Sequence, residues 1–142
     1  MAILNPYLNF NGTTEEAFNF YRSVFGGEFT VLQRFSQTPE ADTIAKEYQN
    51  KIMHVSLPVG NGNVLMGTDA IAGMGHTLTM GNNVQLSLQA ESRDEVDTFF
   101  AGLSQGGIVE MAPQEMFWGA YFAMWKDKFG VKWMANFAHT TS

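Results

Sequence analysis

Residues 7–29 read YLNFNGTTEEAFNFYRSVFGGEF. An alternating run is followed by an Asn11-Gly12 turn, an amphipathic run, a Gly26-Gly27 stop and the start of a second alternating run. That order spells strand, turn, helix, strand. Thr13 stands as a helix N-cap, and Glu16, three residues on, completes the S/T-x-x-E pattern of a capping box. Ala17, Phe20, Tyr21 and Val24 recur at i, i+3, i+4 and i+7, one face of a helix over residues 14–25. Gly26 and Gly27 supply the left-handed backbone that ends a helix.

The plan returns at residues 84–109, VQLSLQAESRDEVDTFFAGLSQGGIV. Ser92 and Glu95 repeat the cap pattern. Adding 79 to the first stripe gives Val96, Phe99, Phe100 and Leu103, again all apolar. Gly106-Gly107 repeats the stop. Cap, stripe and stop in one order make an internal repeat.

Working outward, residues 4–10 form a strand with Leu4, Pro6, Leu8 and Phe10 on one face, and Pro6 belongs at an edge or a strand start. Residues 28–35 form the next strand. Residues 36–51 are polar, either a solvated connector or a lid, with a possible short helix over residues 40–48. Residues 52–59 alternate Ile52, His54 and Ser56 with Met53, Val55 and Leu57. Gly60-Asn61-Gly62 is a hairpin turn, and residues 63–68 return from it. Residues 73–82, GMGHTLTMGN, join the halves.

In the second half, residues 84–89 set Val84, Leu86 and Leu88 against Gln85, Ser87 and Gln89. Strands follow at 108–111, 121–125 and 131–137, with a turn at 127–130. The result is an α+β fold of two βαβββ modules, residues 1–72 and 83–142, joined by residues 73–82.

The 142 residues suit one domain or two small halves. Cysteine is absent, so disulfides and thiol chemistry are excluded. No signal-peptide pattern opens the chain and no long apolar run occurs, so a soluble cytoplasmic protein with no membrane partner is expected. The net charge of −6, with scattered Lys and Arg, argues against nucleic acid as a partner and against a DNA-associated regulator.

Several motifs together resemble the vicinal oxygen chelate superfamily, the fold of glyoxalases, extradiol dioxygenases and bleomycin-resistance proteins. Within it the chain is similar to the PhnB-like group, also labelled demethylubiquinone-methyltransferase-like. The motifs are Asn5-Pro6-Tyr7-Leu8-Asn9-Phe10, Ala17-Phe18-Asn19-Phe20-Tyr21 and Val24-Phe25-Gly26-Gly27. They continue with Lys51-Ile52-Met53-His54, Phe117-Trp118-Gly119, Asp127-Lys128-Phe129-Gly130-Val131 and Trp133-Met134. The resemblance implies curled mixed sheets around a cleft, and a homodimer that often exchanges modules. In the metal-using members four strands each give a His or Glu to a divalent ion. By family pattern those positions fall here on Pro6, Met66, Met134 and either Asn83 or Gln85. Pro has no donor atom, Met is a soft thioether and an amide oxygen is a weak neutral ligand. No metal and no cofactor is therefore expected.

His54 is the one histidine on a strand. Sharing a face with Ser56, it is a candidate proton-transfer group or anion binder, or a hydrogen-bonded structural residue. His76 and His139 read as bystanders. Gln85, Ser87 and Gln89 either orient a ligand or edge into water. Trp118 is a pocket wall or a packing residue. Matching the two hairpins sets Phe122 and Met124 against His54 and Ser56. The expected ligand-binding set is Met66, Gln85, Ser87, Trp118, Phe122 and Met134, for a small-molecule ligand, with His54 as the catalytic candidate of an enzyme alternative. Neither Ser56 nor Ser87 shows a His-Asp partnership, so a nucleophilic triad is not supported. No Walker loop is present, and no G-x-G-x-x-G opens a helix after a strand.

Overall fold

In the computed structural model of the chain, which describes residues 2–138, the expected order of elements is present twice. The first unit contains β1 (Tyr7–Phe10), α1 (Thr14–Phe25), β2 (Val31–Arg34), β3 (Ile52–Gly60) and β4 (Asn63–Asp69). The second contains β5 (Leu86–Gln89), α2 (Arg93–Leu103), β6 (Ile108–Met116), β7 (Ala120–Lys126) and β8 (Lys132–Ala138). The boundary between the two compact units falls between Thr79 and Met80. Each unit has one four-stranded mixed sheet, ordered β1-β4-β3-β2 and β5-β8-β7-β6. In each, the strand before the helix pairs parallel with the last strand of its unit, and the other pairings are antiparallel. His139 lies outside the described residues.

The helices form where expected, but α1 is not capped as expected. Thr13 sits at φ −113°, ψ 14°, and its side chain makes no capping hydrogen bond. The orphan donors of the first turn go instead to Asp69, at the end of β4. Its Oδ1 accepts from the Thr14 backbone N–H at 3.0 Å and from the Thr14 hydroxyl at 2.7 Å, and its Oδ2 accepts from the Ile52 N–H at 2.8 Å. A carboxylate at a helix N-terminus is favoured by the helix dipole as well. At α2 the sequence pattern holds in part: Ser92 Oγ accepts from the Glu95 N–H at 3.1 Å, while the Glu95 carboxylate reaches the Glu91 N–H rather than that of Ser92.

The buried face of α1 is Thr14, Ala17, Phe18 and Tyr21, turned from the expected stripe so that Phe18 rather than Phe20 is innermost. Phe18 lies so close to β4 that a Cβ on Gly67 would overlap its ring. In the second unit Val96 and Leu103 are buried, and Phe100 meets Trp125 edge to face at 5.8 Å. Gly26 and Gly27 both have φ 79°, as their role requires. Of the second pair only Gly106 is left-handed; Gly107 is there because a Cβ would collide with the Lys126 carbonyl.

Three strands start two or three residues later than the alternation suggested, at Tyr7, Val31 and Leu86, and Leu4 and Val84 are exposed rather than core residues. The ladder continues one residue back at Pro6, whose carbonyl accepts from the Met66 N–H, so the imino acid enters β1 from an edge. Ile52 is fully buried rather than sharing the face of His54, because the β2–β3 register shifts between Gln33 and Arg34 and reverses the alternation there. Residues 36–51 form three short 3-10 turns, not one helix. Phe35, Ile44 and Ile71 give that segment its own small core, against which Tyr48 and Met53 pack. β6 runs through Ala112-Pro113 without ending, its register shifts absorbing the proline at a sheet edge. The Gly60–Gly62 hairpin forms as read, with Asn61 at φ 52° and Gly62 at φ 79°.

Candidate functional site

Each helix covers one face of its sheet, and the other face carries the candidate residues. In the first unit the register lines up Tyr7 with Met66 and Met66 with Ser56 across three strands. His54, two residues from Ser56, is set beside Gln33 of β2. The Tyr7 side chain reaches over β4 so that its hydroxyl lies 3.0 Å from His54 Nδ1. The two rings stack at 5.5 Å with 27° between planes. The other imidazole nitrogen, Nε2, lies 2.9 Å from Ser56 Oγ. Phenol, imidazole and hydroxymethyl thus form one hydrogen-bonded row, from Tyr7, 44% exposed, to Ser56, 6% exposed. Burial pushes the Tyr7 phenol above its ordinary range, the Thr68 hydroxyl pulling the other way. Sequence reading named His54 and Met66 but missed Tyr7. Its signal was present, since Tyr7 alternates onto the face opposite Leu8 and Phe10.

The second unit collects the rest of the expected set on the corresponding face. Ser87 aligns with Met134, and Met134 with Met124. The Gln85 amide reaches the Met124 sulfur at 3.9 Å. Trp118, in the β6–β7 turn, meets Phe122 edge to face at 5.8 Å and is half exposed, beside a Phe117 that is 96% exposed. Gln114 pairs with Phe122 as Gln33 pairs with His54. Because Ser56 faces Met66 and Met124 faces Met134, the two units superpose in register with His54 on Phe122 and Ser56 on Met124. The imidazole and hydroxymethyl of the first face are therefore replaced by apolar side chains in the second. His76 is a local structural group, its Nδ1 accepting from the Ile71 N–H at 3.2 Å.

The same register places differently the residues that the resemblance sets at metal positions. The residue aligned with Met66 is Tyr7, not Pro6, and its counterpart beside Met134 is Ser87, with Gln85 two residues before it. The donors offered are then a phenol, two thioethers, a hydroxyl and an amide, a poor set for a hard or borderline divalent ion. Among the described residues no three His, Asp or Glu side chains gather to hold a metal.

A separate hollow of about 260 Å³ lies at the N-terminal end of α1, lined in part by Glu15, Arg34, Glu47 and Lys51. The charges of Glu15, Arg34 and Lys51 are used within the fold. Arg34 forks onto Glu15 at 3.0 and 2.6 Å and onto the Asn50 carbonyl at 2.7 Å, and Lys51 Nζ donates to the Gly12 carbonyl at 3.0 Å. None of the expected site residues lines it. No helix among the described residues is long and apolar enough to cross a membrane.

Comparison with known proteins gives these faces a context. Residues 2–135 match the family model described as 3-demethylubiquinone-9 3-methyltransferase. The chain is 30% identical over 139 residues to Protein YjdN of Escherichia coli (strain K12), covering 94% of this chain and 93% of that protein. The crystal structure of protein PA1353 from Pseudomonas aeruginosa is 34% identical, with a TM-score of 0.84 over 96% of this chain and 98% of that one. A putative 3-demethylubiquinone-9 3-methyltransferase, PhnB protein, from Bacillus cereus is 28% identical, with a TM-score of 0.76 over 96% and 100%. Solved glyoxalase/bleomycin resistance proteins of lower identity share the fold. The chain belongs to the PhnB-like 3-demethylubiquinone-9 3-methyltransferase family, and its fold is that of the glyoxalase/bleomycin resistance proteins.

Proposed function

We propose that the chain binds a small organic molecule without a resident metal, at the helix-free face of its first sheet around Tyr7, His54, Ser56 and Met66. The observation that carries this reading is the Tyr7–His54–Ser56 row. Hydrogen-bonding groups linked to one another beside a thioether are convergent polar groups of the kind that orient a ligand. The donor set supports metal independence. Soft or neutral side chains stand where charged ligands would be needed.

The row also favours a second reading, an enzyme in which His54 moves a proton. Methyl transfer, which the family's description names, draws no support from the chain, because neither strand-to-helix turn carries a G-x-G-x-x-G nucleotide loop. Assembly as a homodimer is part of the proposal. Apolar side chains on open sheet edges support it, namely Val31 and Leu32 on β2 and Ile108 and Val109 on β6.

Elemental analysis of protein purified without chelator tests the metal claim. Substoichiometric metal, and a melting temperature unmoved by EDTA, are expected. Full occupancy by one divalent ion, lost on Met66→Ala, overturns it.

A further inference from the structure

We propose that Tyr7, His54 and Ser56 act as one proton-transfer unit that takes up a weakly acidic hydroxyl of a small molecule, a phenol or an enol, as its oxyanion. The inference rests on the reading of this face as the ligand site.

Both imidazole nitrogens are engaged, and both partners are hydroxyls. A hydroxyl can donate or accept, whereas a carboxylate or a backbone carbonyl only accepts and so fixes one tautomer. His54 can therefore take either neutral form, or the imidazolium, without losing a hydrogen bond. The ends of the row differ. Ser56 is enclosed and Tyr7 is open, so Tyr7 is the group that meets a ligand and Ser56 the group that positions the ring.

The transfer balances without a further reactant. In the neutral row the Tyr7 O–H donates to Nδ1 and the Nε2–H donates to Ser56 Oγ. A ligand hydroxyl donates to the Tyr7 oxygen. The ligand O–H bond breaks and its proton forms a new Tyr7 O–H, while the proton Tyr7 held passes to Nδ1. The ligand oxyanion then accepts from Tyr7, which accepts from the imidazolium. No bond to carbon changes and nothing is oxidised.

The ligand class follows from charge. The residues that β1, β4 and β2 set on this face are Tyr7, Asn9, Val64, Met66, Thr68, Val31 and Gln33, and of these only Tyr7 titrates. A ligand that arrives as an anion finds no Lys or Arg among them. A ligand that arrives as a neutral hydroxyl brings the proton that makes its own counter-ion. Handing a proton to an imidazole takes a hydroxyl of phenol or enol acidity, and aliphatic alcohols are far too weak.

The test uses meta-nitrophenol with the full chain in EDTA at about pH 7, where this phenol is mostly neutral. Calorimetry reads binding and, in buffers of different ionisation heat, net proton exchange. Absorbance reads the bound phenolate. The expected result is bound phenolate with no net proton released, since His54 keeps it, and a loss of about tenfold or more in affinity in both folded Tyr7→Phe and His54→Gln. Ser56→Ala should lower the phenolate fraction while binding persists. Binding of the neutral phenol, release of one proton per phenolate bound, or a phenolate band unchanged in both variants overturns the relay and leaves the ligand face standing. Absence of any binding heat overturns both. The proton count is made on the unmodified chain, so the proposal stays testable if a variant fails to fold.

Discussion

Asp69 shows how one residue ties distant segments together. It is 2% exposed, and it holds the start of α1 and the start of β3 through three donors. Replacing it with Ala strands buried N–H groups, each costing about 1–3 kcal/mol, so a loss of about 3 kcal/mol is expected in urea unfolding. Thr13→Ala, which removes the residue that looks like the cap, should change stability by less than about 0.5 kcal/mol. The reverse ranking contradicts the assignment. Asp127 plays a similar part in the second unit, accepting from the Phe129 N–H at 2.8 Å, the Val131 N–H at 3.1 Å and the Trp133 indole at 2.8 Å. Trp125 is equally buried, but its indole N–H meets no acceptor among the described residues. Trp133→Phe should therefore cost about 1–2 kcal/mol more than Trp125→Phe, because only the first removes a hydrogen bond to a carboxylate. Equal costs in thermal unfolding contradict this.

Elements show what periodicity can and cannot carry. The helices, the β3–β4 hairpin and the repeat were legible, because a helical stripe and a Gly-Asn-Gly turn are local signals. The α1 cap was not legible, because its acceptor lies 55 residues away from Thr14. Nor was the face of α1 fully legible. Phe18 and Phe20 both fit an apolar stripe, and only the glycine opposite decides between them. Gly67→Ala should cost about 1–3 kcal/mol by overpacking, and adding Phe18→Leu should recover part of it. No recovery in the double variant indicates that the neighbouring Leu8 carbonyl, not the ring, is the obstacle. At the candidate site, the His54–Ser56 alternation could be read from β3 alone. Tyr7 could not be joined to them without the strand order, which sets β4 between β1 and β3.

The contact between α1 and β2 has a pH signature. Hydrogen bonding from the Arg34 guanidinium, opposed by burial and helped by the charges of Arg34 and Lys51, holds the Glu15 carboxyl below its usual range. A carboxyl with a depressed folded pKa contributes stability above its unfolded pKa and loses it as pH falls through the folded value. The stability gap between the native chain and Glu15→Gln should therefore shrink below about pH 4.3, the usual value for Glu. A gap that stays constant down to the acid limit contradicts the pairing. The pair is partly solvent-exposed, so the gap itself should be small.

On the scale of the whole molecule, one βαβββ plan is used twice with different chemistry on the free face. The first unit keeps Tyr7, His54 and Ser56; the second sets Ser87, Phe122 and Met124 in their places. Light scattering of the full chain should give the mass of a homodimer, and Ile108→Lys should lower it. A monomer at high micromolar concentration contradicts that part of the proposal. Nuclear magnetic resonance mapping of meta-nitrophenol on chelator-treated protein addresses the site itself. Shifts concentrated at Tyr7, His54, Ser56 and Met66, unchanged when zinc or manganese is added, are the expected outcome. Shifts that appear only with a divalent ion, or that gather around Glu15 and Arg34 instead, contradict it.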